Sequence, residues 1–159
     1  MRNAIALVVL GACAASTAEL NTAKTARYKV DGAQLLQMSE QAAADKNYKI
    51  GAVDDGHLQY ETVPKWYSAE GDLETAGADD YTTIRPHSVR VSFVVQISQA
   101  DSNDFVVTVT PHTWQFVGTP QLRPLEPADP NLPPWVKGRA DALNLAIYDV
   151  AKGYVVAAK

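Results

Sequence analysis

Cysteine is nearly absent from this chain: Cys13 is the only one in 159 residues. An intramolecular disulfide is therefore impossible, and a zinc site built from several thiolates is excluded. Positive charge is also in short supply. Fourteen Lys and Arg face eighteen Asp and Glu, a formal net charge of −4, so nucleic acid is not expected as a main partner. Long apolar runs are missing. The longest, Ala4 to Ala15, covers 12 residues, whereas a bilayer-spanning helix takes about 20. There is no Gly-rich phosphate loop, no dinucleotide fingerprint and no Gly-x-Ser-x-Gly elbow. What remains is the composition of a folded protein, 47% hydrophobic and 20% charged, at a length that suits one core rather than two.

The start of the chain has the layout of an export signal. Met1–Arg2–Asn3 carries one positive charge, Ala4 to Leu10 is apolar without interruption, and Gly11 to Ala15 are small. Within it, Leu10–Gly11–Ala12–Cys13 resembles the lipobox of bacterial lipoproteins. The resemblance covers only the first 13 to 15 residues, so it indicates a class of processing and not a domain family. It implies cleavage before Cys13 and a thioether from its sulfur to lipid. It would also explain why an exported chain keeps one unpaired thiol. Two or more acyl chains anchor a protein stably, at about 0.8 kcal/mol per buried CH₂. Two alternatives stay open. Ala12–Cys13–Ala14 also satisfies the small-x-small rule of ordinary signal removal, and Cys13 could be a plain apolar residue of an uncleaved terminus. In a Gram-negative source, Ala14 after the cysteine implies the outer membrane, because Asp at that place is the inner-membrane retention signal. The expected organisation is a signal peptide at 1–12, a lipidated and flexible tether at 13–25, and a single globular domain at 26–159. The tether is expected because residues 14–25 show no helix or strand period.

Strands and helices can be read from period and punctuation. Arg27 to Val30 alternates as a short strand. Asp31 caps a helix, with Gln34 three residues on, that runs to about Lys46 and has an apolar stripe through Leu35, Leu36, Met38, Ala42 and Ala43. Tyr48 to Thr62 is expected to be a hairpin around Asp54–Asp55–Gly56, with Gly56 at positive φ. That register sets Val53 against His57, Ile50 against Tyr60 and Lys49 against Glu61. Val89 to Ile97 places Val89, Val91, Phe93, Val95 and Ile97 on one dry face. Phe105 to Pro111 follows as its partner, with Val91 near Pro111 and His112 opposite Arg90. The last helix starts at Pro133–Pro134 and buries Val136, Ala140, Leu143, Ile147, Val150 and Tyr154. Arg139, Asp141, Asn144, Asp149 and Lys152 are expected to face away. Val155–Val156 follows as a frayed turn or short strand.

These elements predict an α/β fold of the α+β type: a two-layer sandwich in the order β-α-β-β-β-β-α. A mainly antiparallel sheet of four to five strands carries both helices on one face. The order is similar to that of small lipoproteins that assist outer-membrane assembly, an architectural likeness that does not fix function. Two connections are long. Ser68 to Pro86 reads as a solvated acidic loop whose carboxylates lack calcium-loop spacing. Pro120 to Pro134, with six prolines, reads as a stiff crossover without a regular ladder.

Chemistry-bearing residues do not converge. His57 flanks a turn, while His87 and His112 fall on opposite faces, so no shared metal is expected. No catalytic residue, metal or cofactor is assigned. Trp66 and Tyr67 are adjacent, so one of them is expected to be exposed. Together with Trp114 they are the candidate partner-binding residues, and Trp135 begins the last helix. The expectation is a non-catalytic envelope lipoprotein that is anchored through Cys13 and faces the periplasm. It would bind an envelope protein or support its assembly. The alternatives are a binding module for an envelope lipid or glycan, and a hydrolase with separated carboxylates.

Overall fold

The computed structural model describes residues 16–75, 83–101, 103–118 and 121–156. Leu10, Gly11, Ala12 and Cys13 lie outside the described residues, as do Asp79 and Asp80 of the acidic loop. The elements are α1 (Thr17–Thr25), β1 (Arg27–Tyr28), α2 (Gly32–Asp45), β2 (Ile50–Asp54), β3 (Gln59–Thr62) and β4 (Lys65–Tyr67). They continue with β5 (Val89–Asp101), β6 (Asp104–Gly118), β7 (Gln121–Pro124), α3 (Pro134–Ala151), a 3₁₀ turn (Lys152–Tyr154) and β8 (Val155–Val156). The strands make one antiparallel sheet in the order β2-β3-β5-β6-β1-β8, with β4 also on β5 and β7 also on β6. The fold is the expected α+β sandwich, with more strands than the four to five anticipated.

The long β5–β6 pair is the spine. Val89, Val91, Phe93, Val95 and Ile97 are all buried, as their alternation requires. Leu35, Leu36, Ala42 and Ala43 of α2 pack on that face beside Val136, Leu143 and Ile147 of α3. Asp31 caps α2 through Oδ1, which accepts from the amides of Ala33 at 2.9 Å and Gln34 at 3.3 Å. The register of the pair differs from the expected one by two residues. Phe93 lies opposite Pro111, Val91 opposite Thr113, and His112 opposite Ser92 rather than Arg90. A shift of two keeps every side chain on its face, so the burial pattern survives the error.

The first hairpin departs further. Ile50 pairs with Thr62, Val53 with Tyr60 and Asp54 with Gln59, with an irregularity between Ile50 and Val53. The turn spans 55–58, and its left-handed residue is Leu58 (φ 50°), not Gly56. Leu58 is held there by its carbonyl, which accepts from Ile97 N at 2.9 Å, and by packing over Gly32. Glu61 consequently faces β5 and β6 instead of Lys49.

Three further expectations are corrected. The supposed tether at 14–25 is helical from Thr17. Ser16 Oγ accepts from Glu19 N, and Glu19 Oε2 accepts from Ser16 N at 2.7 Å, a capping box that nucleates a helix of low amphipathicity. Lys24 then pairs with Asp141 of α3 at 2.5 Å. The proline-rich link does join the ladder: Leu122 pairs with Phe116 and Pro124 with Trp114. An edge strand tolerates proline because one side needs no donor. In α3 the buried stripe runs Val136, Ala140, Leu143, Asn144, Ile147 and Ala151, while Val150 and Tyr154 are exposed. Arg139 and Asp141 are half-buried, not outward.

Candidate functional site

The sheet has two faces, and among the described residues only one carries helices. On the other face, alternation points Glu61 of β3, Arg90, Ser92, Val94 and Gln96 of β5, and His112 and Trp114 of β6 to the same side. Three of these residues meet at one atom. The Ser92 hydroxyl donates to Glu61 Oε1 at 2.5 Å, and His112 Nδ1 lies 3.2 Å from the same oxygen. The His112 ring meets Trp114 edge-on, with centroids 5.9 Å apart and planes at 79°. The Arg90 guanidinium lies 5.8 Å from the Trp114 ring centroid. A row of carboxylate, imidazole, indole and guanidinium thus crosses three strands.

Beside this row the displaced β2 leaves an open basin of about 520 Å³, lined by Ala52, Val53, Asp54, Glu61, Val94 and His112. At its rim Asp54 Oδ2 lies 2.7 Å from His57 Nδ1. The hydrogen bond from the His57 side chain is the main reason the Asp54 carboxyl is held below its usual range. Two carboxylate–imidazole pairs therefore flank one concavity. The order of groups is not that of a nucleophilic relay. Glu61 sits between Ser92 and His112, so the imidazole is not placed to take the serine proton. The arrangement can accept and donate hydrogen bonds to a docked surface, and Trp114 adds apolar area beside them. Among the described residues no group of three His, Cys, Asp or Glu side chains is placed to hold a metal.

Trp66 and Tyr67 are both buried, contrary to the expectation that one is exposed. The sheet has an interior on each side at this end, which adjacent residues of one strand can both enter. Tyr67 enters the helix-side core, 5.2 Å from the Trp135 ring and 4.5 Å beneath the Arg139 guanidinium. Trp66 enters a small cluster on the opposite face with Ile84, Phe116 and Leu122. Its ring lies edge-on to Phe116 at 6.3 Å. Only Trp114 of the three candidates is partly exposed. The Glu61–Ser92–His112 meeting escaped sequence reasoning. Its signal was the shared parity of Ser92 and His112, which needs the register to become a contact.

No family model matches this chain, and a search of curated proteins finds no significant relative.

Proposed function

We propose that this chain is a non-catalytic lipoprotein of a bacterial cell envelope, anchored through Cys13 in the outer membrane and facing the periplasm. Its domain would present the helix-free sheet face to an envelope protein, either binding it or supporting its assembly. The observation that carries the interaction part is the row Glu61–His112–Trp114–Arg90, on a face that no helix among the described residues covers. Aromatic and arginine side chains set among hydrogen-bonding groups are typical of binding hot spots. The anchor rests on Leu10–Gly11–Ala12–Cys13. No helix among the described residues is long and apolar enough to cross a membrane. The basin beside His112 favours a second reading, a site for an envelope lipid or glycan. Carboxylates there would accept sugar hydroxyls, with the Trp114 ring nearby.

Two measurements test the first reading. Mass spectrometry of the mature N-terminus should find a lipidated Cys13 that is lost in Cys13→Ala; an unlipidated start at Ala15 or Ser16 overturns the anchor. A photo-crosslinking residue in place of Thr110, exposed on the open face, should capture one discrete envelope protein. Trp114→Ala should abolish that capture. The same products from a crosslinker at Val150, on the helix side, would overturn the assignment of the face.

A further inference from the structure

The sheet ends at β2, which has β3 on one side and no strand on the other among the described residues. Gly51, Ala52 and Val53 are exposed. Such an edge offers unpaired backbone N–H and C=O groups, and proteins usually blunt it with proline or with charges along the strand. Positions 50–53 hold neither. The charges stand at the two ends, Lys49 and Asp54. Lys49 belongs to the ladder, since its carbonyl accepts from Val63 N at 2.8 Å.

The irregularity in β2 makes this edge symmetric. Between Ile50 and Val53 there are two residues, Gly51 and Ala52, where β3 has only Glu61. Ile50 and Val53 pair with Thr62 and Tyr60, which share a side of the sheet, so they share one as well. Lys49 and Asp54, the next residues outward, both fall on the other side. The pattern of sides therefore reads the same from either end, and the two ends carry opposite charges. Both charges are available. Lys49 is exposed and has no ion-pair partner among the described residues. It adds to a local excess of positive charge: burial first, and then Arg139 and Lys49, hold the Lys65 ammonium below its usual range. Asp54 is oriented by the His57 amide, which donates to its Oδ1 at 3.1 Å. Its side chain is still 46% exposed.

We infer that β2 pairs with β2 of a second copy of this chain, antiparallel, about a two-fold axis between Gly51 and Ala52. Lys49 then lies opposite Asp54 of the second copy, Ile50 opposite its Val53, and Gly51 opposite its Ala52. The axis repeats each pair, so charge and apolar contacts are both satisfied twice. A slip of two residues sets Lys49 against Ala52 or Gly56 and loses both ion pairs. An edge this short buries less than a standard interface, so the dimer is weak and transient in solution. The inference rests on the β2 edge and not on the row at Glu61 and His112, so either can fail without the other.

The test is sedimentation equilibrium of the full chain carrying Cys13→Ala, which removes any disulfide between copies. Over about 10 µM to 1 mM protein, a reversible monomer–dimer equilibrium is expected. Lys49→Glu replaces two ion pairs with two like-charge pairs and should weaken the dimer about tenfold. Asp54→Lys should do the same. An equimolar mixture of the two variants should dimerise as strongly as wild type, because each meets the opposite charge on the other. If Asp54→Lys lowers the thermal midpoint, Lys49→Glu alone decides, since it leaves the turn at Asp54 and His57 untouched. A chain that stays monomeric throughout, a dimer indifferent to Lys49→Glu, or a mixture of folded variants no stronger than its components would each overturn the inference.

Discussion

Arg139 shows how much one side chain can organise. Its guanidinium lies over the rings of Tyr67 and Trp135, at 4.5 and 5.4 Å, and donates to the Gly71 carbonyl at 2.8 Å. Trp135 Nε1 donates to Ala69 O at 2.9 Å, so two residues of α3 hold the turn that follows β4. Gly71 permits this approach: its φ is +100°, and an added Cβ would stand 3.1 Å from the Trp135 ring. Gly71→Ala should therefore cost about 1–3 kcal/mol, through backbone strain and the displaced indole. Gly153→Ala, where a Cβ meets nothing within 4 Å, should change stability little. Denaturant midpoints compare the two. Tyrosine burial gives a second expectation. Desolvation pushes the hydroxyls of Tyr28 and Tyr67 up to about 12, and that of Tyr60 upward as well. In the unfolded chain they ionise near pH 10. Between about pH 10 and 12 the unfolded state releases protons that the native state retains, so native stability falls as pH rises through that window. Tyr28→Phe should make the fall shallower in unfolding midpoints measured from pH 9 to 11.5. A slope equal to wild type would refute the link.

Among the elements, α1 depends most on its cap, because Ala23 is its only buried residue. Ser16→Ala should destabilise this helix by about 1 kcal/mol, seen as faster amide exchange at Leu20, whose N–H bonds Ser16 O at 3.1 Å. On α3, Ile147→Ala should cost about 2–5 kcal/mol, while Val150→Ala, at a position 43% exposed, should stay within about 0.5 kcal/mol of wild type. Both residues fit a helical stripe by spacing alone. They are separated by the facing surface, since Ala151 and not Val150 turns toward the sheet. The same limit explains the strands. Alternation along Val89–Ile97 assigns each residue to a face, and the structure agrees at all five apolar positions. Register is a property of two strands together, and a slip by two leaves each strand's own pattern intact. That is why the dry face was legible and the Glu61–Ser92–His112 contact was not. The ladder made by Leu122–Pro124 was hidden for a related reason: prolines signal a lost donor, but only the partner decides whether that donor was needed. Ser16–x–x–Glu19, in contrast, is a local capping signal that the sequence carries without reference to any partner.

At the scale of the whole molecule, the sheet separates two environments. One face is filled by α2 and α3. Among the described residues, the other is covered at one end by Trp66, Ile84 and Phe116. The position of α1 also sets how far such a domain could travel. A flexible link from Cys13 to Ala26 would let the domain roam tens of ångströms from a bilayer. With α1 docked on α3, only the steps from Cys13 to Ser16 remain, at most about 3.5 Å each. Under the proposed attachment the domain would ride on a leash of roughly 10 Å, close to the lipid surface and restricted in how it can rotate. Encounters would then be drawn from proteins embedded in the same membrane, met by lateral diffusion, rather than from those dissolved deeper in the periplasm.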